Sequence, residues 1–527
     1  MGDKIEKKEK GIKVWKCILS ISFVILSVLL VYLLIWTKDI FGDVPFSQVI
    51  FHMMVPLEGT DTSIIMSYVY GASKWVGIAS AIMVALGVIY YLNQKSKKDD
   101  EDSKDGLKSK KIKNLFAKIG VVLLSINKFL IRRMLPITAM VLVLVLVVDF
   151  VGFGMDDWVA DRLNSSSIYE EYYVDAAEAD IKAPAKKKNL IFILSESLEA
   201  SYTDFDNGGC MDRNYMPKLT ELAIENTHFS RNESLAGAVE VEGTGWTIAA
   251  MVAQTSGVPL SLPIGNNAYG KYDEFLPGVT SMGEILEENG YVNEILIGSK
   301  REFAGVDNFF VKHGNYKIFD YYTALEEEYV KKHNGFWGVD DEDLLQIAKD
   351  EVGHLAAGEQ PFSIIINTID LHTPNGYLCN ACGNEYDDNY KNIIACQDEL
   401  ITNFVEWCQE QEFYEDTVIV VAGDHLSMAP IVKNEYVPDG YQRSVYNAII
   451  NSDLEPVNWK NRQFTTMDMF PTILASLGFE IEGERLGLGT NLYADKKTVM
   501  ETIGKNEFME EISKNSKLYN KDILGTR

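Results

Sequence analysis

Three polar residues follow two apolar runs of the kind that form buried strands, and their side chains are common metal ligands. Glu196 lies two residues after NLIFIL (189–194), and Asp424 and His425 come directly after DTVIVVAG (416–423). In an open parallel sheet, ligands bind at the carboxyl ends of the strands. A Glu in this position is more often a helix cap or a solvated loop residue, but the three together supply oxygen and nitrogen ligands suited to Mn²⁺, Zn²⁺ or Mg²⁺. They predict a site for one divalent cation.

A threonine in a Gly-Thr-Gly turn is a candidate nucleophile for the same site. Thr244 lies just before an apolar run with helical spacing, 246–253. At a helix N-terminus, backbone N–H groups and the helix dipole favour an incoming phosphate. A hydroxyl bound to a divalent metal becomes more acidic and can attack phosphorus. The alternative is that Thr244 only caps the helix, and the spacing alone favours the cap.

The elements that must position these side chains alternate between two patterns from residue 189 onward. Continuous apolar runs predict buried strands, at 189–194, 291–298, 361–369 and 416–423. Segments with helical spacing predict helices, at 216–226, 282–290, about 389–411 and 464–479. This alternation is typical of an α/β domain with a mostly parallel central sheet. We therefore predict a catalytic domain over 189–495, with a connector before it (155–188) and a C-terminal tail after it (496–527).

The longest apolar runs all lie before residue 155, and they predict a membrane anchor over residues 1–154. Three runs are long enough to cross a hydrocarbon core of about 30 Å, at 14–36, about 68–92 and 135–154. Lys and Arg cluster before the first run and between the second and third. The positive-inside rule therefore places the N-terminus in the cytoplasm and everything after residue 155 outside. The short apolar stretch 119–131 is interpreted as an interfacial helix, because a fourth span there would place the large domain in the cytoplasm.

The charge distribution excludes one class of partner. The chain has a net charge of -27, yet residues 1–133 hold 20 Lys and Arg against 12 Asp and Glu. The rest of the chain therefore holds 29 basic against 64 acidic residues. Such an acidic domain repels phosphodiester polymers, which argues against binding of nucleic acid.

The cysteines favour a disulfide over a metal site. Cys379 and Cys382 form a CxxC pair, with Cys396 and Cys408 following. Neither a second CxxC nor a nearby His pair completes a zinc site. We expect an extracytoplasmic disulfide, whose partners the sequence does not assign.

Several motifs in combination resemble the lipoteichoic-acid synthase and phosphoglycerol transferase group of the alkaline-phosphatase and sulfatase superfamily. The motifs are SES around Glu196, Thr244-x-x-Thr247-x-x-x-Met251, GDH at 423–425, WTIAAMVAQTSGVPL (246–260), DNFFVKHG (307–314), DLHTP (370–374) and RLGLGTNLY (485–493). The resemblance covers roughly 189–495. It is closer to the phosphoglycerol transferases that decorate periplasmic glucans than to true lipoteichoic-acid synthases.

The resemblance implies roles for individual residues. Thr244 would be the nucleophile and form a covalent phosphoglycerol–threonine intermediate, and His372 would bind the phosphate or protonate the leaving group. One divalent ion, Mn²⁺ before Mg²⁺ or Zn²⁺, would be held by four residues, Glu196, Thr244, Asp424 and His425. Thr247 is the alternative nucleophile, and Thr244 is chosen because the family spacing to Met251 selects it.

The resemblance also implies the substrates. The donor would be phosphatidylglycerol in the outer leaflet of the membrane, and the acceptor a glycan or a growing polyglycerolphosphate. A phosphoethanolamine transferase or phosphodiester hydrolase on the same scaffold is one alternative, and an inactive membrane-anchored binding protein is another. The C/S-x-P-x-R context that sulfatases need is missing from the sequence.

One stretch departs from the family pattern. Synthases of this group carry an aromatic residue and an Arg before the FF motif to hold glycerol phosphate, whereas the corresponding positions here are Ala304 and Val306. Lys300 or Arg301 is the predicted substitute in substrate binding. The alternative is that both are solvated loop cations.

Overall fold

The computed structural model describes six stretches of the chain, residues 2–42, 44–54, 62–102, 133–261, 275–331 and 338–525. The stretch 119–131, interpreted above as an interfacial helix, lies outside the described residues. The chain divides into two compact units. The first combines Met1–Asp39 with Asp61–Asp156, and the second combines Ile40–Thr60 with Asp157–Arg527.

The first unit is built from long apolar helices. They are α1 (Gly2–Phe41), α3 (Thr62–Asp102) and α4 (Met134–Gly152), while the short α2 (Phe46–Met54) belongs to the second unit. By length and composition, each long helix contains a stretch able to cross a membrane, namely Trp15–Phe41, Ser63–Ile89 and Met134–Gly152. The prediction of three apolar N-terminal helices is therefore confirmed.

The second unit has a six-stranded central sheet with the spatial order β4-β3-β5-β2-β6-β7. Its strands are β2 (Asn189–Ser195), β3 (Val292–Ile297), β4 (Lys317–Phe319), β5 (Phe362–Asn367), β6 (Thr417–Gly423) and β7 (Asn447–Ile450). Neighbouring strands are parallel except β7, which runs antiparallel to β6. Two short pairs flank the sheet, β1 (Ile181–Lys182) with β8 (Glu480–Ile481) and β9 (Arg485–Leu486) with β10 (Gly489–Thr490). The predicted α/β class with a mostly parallel sheet is confirmed.

Helices cover both faces of this sheet, as the continuous apolar character of the strands requires. In β2, Leu190, Phe192 and Leu194 pack into one apolar cluster. Ile191 and Ile193 point the other way, into a second cluster. The helices of this unit that follow α4 are α5 (Met155–Leu163), α6 (Ile168–Tyr172), α7 (Pro217–Glu225), α8 (Thr247–Ser256), α9 (Met282–Glu288), α10 (Val306–Lys312), α11 (Tyr321–Glu326), α12 (Asp341–Ala356), α13 (Asn389–Gln409), α14 (Met469–Ser476), α15 (Val499–Ile503) and α16 (Lys505–Ser513).

The segments expected to be a connector and a tail are packed parts of the second unit. In the connector range, β1 pairs with β8. In the tail range, Phe508, Ile512, Tyr519 and Ile523 are buried in the core cluster that also contains Leu190. The unit therefore extends beyond 189–495 on both sides.

A disulfide joins Cys382 and Cys396, in the loop after β5 and in α13. The thiol of Cys379 is buried and lies 3.3 Å from the sulfur of Cys382. The disulfide matches the sequence-based expectation, and its pairing comes from the structure.

Candidate active site

The three predicted metal ligands lie together at the carboxyl end of the sheet. The register of β2 with β6 pairs Ser195 with Gly423, so the residues that follow, Glu196 and Asp424, leave the sheet side by side. Nε2 of His425 is 3.6 Å from Oε1 of Glu196 and 3.3 Å from Oδ2 of Asp424. All three side chains are buried, and their ligand atoms lie within 4.8 Å of one another. This spacing suits three ligands of one ion.

Hydrogen bonds hold two of these ligands in the orientation that a cation requires. Oδ1 of Asp424 accepts bonds of 2.7 Å from the backbone N–H groups of Ser197 and His425. Nδ1 of His425 lies 2.9 Å from the carbonyl oxygen of Leu426, so Nδ1 carries a proton and Nε2 is the ring nitrogen that faces the two carboxyl groups.

The remaining ligand atoms are buried without a hydrogen bond. Within the described parts of the chain, neither Oδ2 of Asp424 nor Nε2 of His425 has a hydrogen-bonding partner. Burying such polar atoms unsatisfied costs free energy, and each specific case calls for an explanation. A cation between them satisfies both, so the residues present fit a metal ion.

The electrostatics of the cluster support the same conclusion. Burial raises the pKa of Asp424 well above its usual range, and the neighbouring Glu196 raises it further. Burial alone would lower the pKa of His425, but Asp424, Glu196 and the nearby Glu240 raise it to about 9. Both shifts favour the protonated forms of these buried groups, and a divalent cation bound there would replace those protons as the counter-charge of the carboxylates.

A strained turn follows β2 and helps to build the site. Ser197 has a φ of 54°, in the left-handed region that a non-glycine residue rarely adopts. In this conformation its hydroxyl donates a 2.7 Å bond to Oε1 of Glu196, while its N–H bonds Asp424. Such strain is typical of functional sites. Sequence reasoning missed Ser197, although the SES motif contains it.

A second hydroxyl that the fold brings to the predicted ligands, besides that of Ser197, is the hydroxyl of Thr247. Helix α8 begins at Thr247, after Trp246 as the N-cap residue, and Oγ1 of Thr247 donates to Oε2 of Glu196 at 3.3 Å. The hydroxyl of Thr244, the expected nucleophile, instead donates to the carbonyl of Val241 at 2.9 Å and accepts from its N–H at 3.0 Å. Thr244 is therefore engaged in a local turn, and of the two candidate threonines it is Thr247 whose hydroxyl contacts a predicted metal ligand.

Helix α8 is anchored directly to the end of β6. Nε2 of Gln254 donates a 2.9 Å bond to the carbonyl oxygen of Gly423, and every residue of α8 is buried. Gln254 lies seven residues after Thr247, on the same face of the helix. The bond from Gln254 to Gly423 therefore fixes the position of Thr247 relative to the predicted metal ligands. The seven-residue spacing between Thr247 and Gln254 could have identified Gln254 from the sequence.

His372 lies in the loop after β5, the strand next to β2, and therefore at the same edge of the sheet. Its Nδ1 is 2.8 Å from the carbonyl oxygen of Thr373, and its ring meets that of Phe303 edge-on at 6.2 Å. These contacts fix the orientation of the ring.

The two cations expected to bind substrate are held by other residues. Arg301 forms a two-point ion pair with Asp320, with Nη2–Oδ1 and Nε–Oδ2 distances of 2.8 and 3.2 Å. Burial alone would raise the pKa of Asp320, but the bonds from Arg301 and Thr323 lower it. Nζ of Lys300 lies 5.7 Å from the ring centre of Tyr322. The structure therefore gives both cations structural partners.

Replacing Arg301 by Ala is expected to affect stability and not substrate binding. The carboxylate of Asp320 is fully buried, so the loss of a charged hydrogen-bond partner should lower the free energy of unfolding by about 2 kcal/mol. The KM for the donor that the sequence predicts, phosphatidylglycerol, should stay within about twofold of the unsubstituted protein. Thermal unfolding and donor titration check this, with Lys300→Ala as the control. A raised KM at an unchanged melting temperature would restore Arg301 as a substrate ligand.

Two solved structures are similar to this chain. The lipoteichoic acid synthase LtaP from Listeria monocytogenes has a TM-score of 0.46 at 16% identity, over 60% of this chain and 79% of that one. The lipooligosaccharide phosphoethanolamine transferase A from Neisseria meningitidis has a TM-score of 0.46 at 13% identity, over 87% and 83%.

Sequence relatives and a family match identify the fold family. Phosphoglycerol transferase I of Xanthomonas euvesicatoria pv. vesicatoria is 33% identical over 316 residues, which are 59% of this chain and 43% of that protein. Its namesake in Salmonella paratyphi B is 33% identical over 267 residues, 49% and 33% respectively. The chain thus spans less than half the length of these relatives. Residues 188–479, more than half of the chain, match the family described as Sulfatase. The chain belongs to the sulfatase family, within the alkaline-phosphatase superfamily.

Proposed function

We propose that this protein transfers phosphoglycerol from phosphatidylglycerol to a glycan or polyglycerolphosphate acceptor, through a covalent intermediate on Thr247. The observation that carries the proposal is the contact of the Thr247 hydroxyl with Glu196 at the start of a buried helix, beside Asp424 and His425. The names of the relatives, phosphoglycerol transferase I, support the choice of the transferred group.

In the first step, Oγ1 of Thr247 attacks the phosphorus of the donor, and the bond from phosphorus to the diacylglycerol oxygen breaks. The Thr247 hydroxyl already donates to Glu196, so this carboxylate is placed to receive its proton. We assign to His372 the proton that the departing diacylglycerol oxygen takes up. The N-terminus of α8 binds the phosphate, because its backbone N–H groups and dipole favour negative charge.

In the second step, a hydroxyl of the acceptor attacks the same phosphorus and the bond to Thr247 breaks. Phosphoglycerol then leaves on the acceptor, and the threonine hydroxyl is restored. His372 now takes the proton from the attacking hydroxyl, and Glu196 returns its proton to the oxygen of Thr247, so both proton transfers of the first step are reversed. Thr247 ends each cycle unchanged, as a covalent catalyst must.

Glu196, Asp424, His425 and the hydroxyl of Thr247 are proposed to hold one divalent ion, Mn²⁺ before Mg²⁺ or Zn²⁺. When bound, the ion would lower the pKa of the threonine hydroxyl and neutralise charge on the phosphate. Two carboxylates and one imidazole are ligands that all three ions accept, which leaves the choice to experiment.

The proposed location is the outer face of the cell membrane, with the chain crossing the membrane several times. The three apolar helices and the basic residues before the first and between the second and third support this orientation. It gives the site access to phosphatidylglycerol of the outer leaflet, and to glycans outside the cell.

The proposal predicts that the purified full-length protein, in detergent with Mn²⁺, releases diacylglycerol from phosphatidylglycerol. Label in the headgroup should pass to the protein and from there to an added acceptor. Phosphatidylethanolamine serves as the matched lipid in a parallel reaction. Diacylglycerol release from phosphatidylethanolamine alone would contradict the assignment of phosphatidylglycerol as the donor. Release from neither lipid by metal-loaded protein would contradict the proposed transferase activity and favour a binding protein.

A further inference from the structure

The chain segment between the first two apolar helices packs on the helix that carries the proposed nucleophile. Phe51 of α2 is fully buried in the core of the second unit. Its ring centre lies 5.6 Å from that of Trp246, the residue directly before Thr247. Helix α2 is therefore fixed against the N-terminus of α8, where the phosphate is proposed to bind.

This segment and the end of α1 that leads into it contact two further loops of the site. The hydroxyl of Thr373, next to His372, donates a 3.0 Å bond to the carbonyl oxygen of Ile40. Nε2 of Gln48 lies 3.1 Å from the sulfur of Met428, three residues after His425. Together they contact the nucleophile helix, the loop of His372 and the loop that carries two metal ligands. These contacts make them a wall of the active site.

His52 is an exposed polar residue of this wall. It follows the buried Phe51. Phe51 meets the His52 ring edge-on at 5.5 Å, which restrains the imidazole. Although part of the ring is open to solvent, desolvation by the protein around it, with a smaller contribution from the nearby His372, lowers the pKa of His52 to about 4. At neutral pH the imidazole is therefore uncharged and offers one N–H donor and one acceptor nitrogen.

We propose that His52 belongs to the substrate site and hydrogen-bonds a hydroxyl of the glycerol headgroup of the lipid donor. This inference rests on the proposed function. A neutral imidazole suits a hydroxyl, which both donates and accepts, better than it suits a phosphate. In the proposed mechanism the phosphate already has its own partner in the N-terminus of α8, and a bound ion would supply another. The two cations expected to recognise the headgroup, Lys300 and Arg301, are held by Tyr322 and Asp320.

The test uses two lipids that differ only in the group His52 is proposed to bind. Phosphatidylpropanol lacks the headgroup hydroxyls of phosphatidylglycerol. The unsubstituted full-length protein should use phosphatidylglycerol with a kcat/KM about tenfold higher, the usual effect of one or two hydrogen bonds. His52→Ala should lose this preference by losing activity on phosphatidylglycerol alone, and His52→Gln, which keeps a donor and an acceptor, should retain part of it.

His354→Ala is the matched control, because this exposed histidine lies on α12 and pairs with Glu351. It should keep the full preference. If His52→Ala lowers the activity on both lipids equally, or changes neither, His52 does not bind the headgroup and the inference is overturned. If the unsubstituted protein releases no diacylglycerol from phosphatidylglycerol, the proposed function itself fails, so the two failures are distinguishable.

Discussion

Thr247→Ala is expected to abolish phosphoglycerol transfer, with kcat reduced by a factor of about a thousand or more, the usual cost of removing a covalent nucleophile. The reason is positional, since the Thr247 hydroxyl is the one that contacts Glu196 at the start of α8. Thr247→Ser keeps a hydroxyl and should retain measurable transfer. Release of diacylglycerol from phosphatidylglycerol measures all three proteins. Mass spectrometry of enzyme stopped without acceptor should find the phosphoglycerol group on the peptide that contains Thr247.

Thr244→Ala is the matched control for this prediction. It removes a hydroxyl three residues away that bonds only the backbone of Val241 among the described contacts. We expect a loss of stability of about 1 kcal/mol and transfer within a few-fold of the unsubstituted protein. The assignment fails if Thr244→Ala is the inactive variant, or if the phosphoglycerol group is found on Thr244.

The comparison of these two threonines shows where sequence reasoning reached its limit. Glu196 and Asp424 were predictable because long apolar runs placed them at strand ends, and parallel strands end at one edge. Which hydroxyl joins them depends on how α8 docks against the sheet. That docking is set by distant contacts, such as the bond from Gln254 to Gly423. A Gly-Thr-Gly turn carries no information about such contacts.

The same limit explains the other differences. The partner of Arg301 is Asp320, which lies 19 residues away across a turn of the fold. The contact between Phe51 and Trp246 joins the N-terminal part of the chain to the catalytic domain and leaves no periodic pattern. The sheet strands β4 and β7 were not predicted, since three or four residues are too few to show a period. A long apolar strand can be recognised from consecutive residues, whereas the contacts of Arg301 with Asp320 and of Phe51 with Trp246 depend on the tertiary structure.

Removing the divalent ion with a chelator is expected to abolish transfer and to lower the melting temperature of the protein. Without the ion, the carboxyl groups of Glu196 and Asp424 are buried side by side, and the raised pKa of Asp424 shows that ionising both is unfavourable. The metal-free folded protein must therefore either take up a proton there or bury two like charges, and both lower its stability at neutral pH. Added Mn²⁺ should restore stability in a saturable way, by about 2.7 kcal/mol at a concentration one hundred times the Kd. Differential scanning calorimetry and isothermal titration calorimetry measure the two effects independently of activity.

Asp424→Asn separates the role of the ion from that of the fold. The amide oxygen can keep both backbone bonds that Oδ1 accepts, while the NH₂ group replaces the unpartnered Oδ2 and removes one negative charge. We therefore expect this variant to be inactive and unresponsive to Mn²⁺, yet more stable than the metal-free unsubstituted protein by about 1 kcal/mol. Asp398→Asn, a buried carboxylate that accepts from the backbone of Lys218 and Leu219, should leave the Mn²⁺ response intact. A normal Mn²⁺ response in Asp424→Asn would show that the ion binds elsewhere. Asp424, whose Oδ2 lacks a hydrogen-bonding partner among the described residues, would then not be needed to bind the ion.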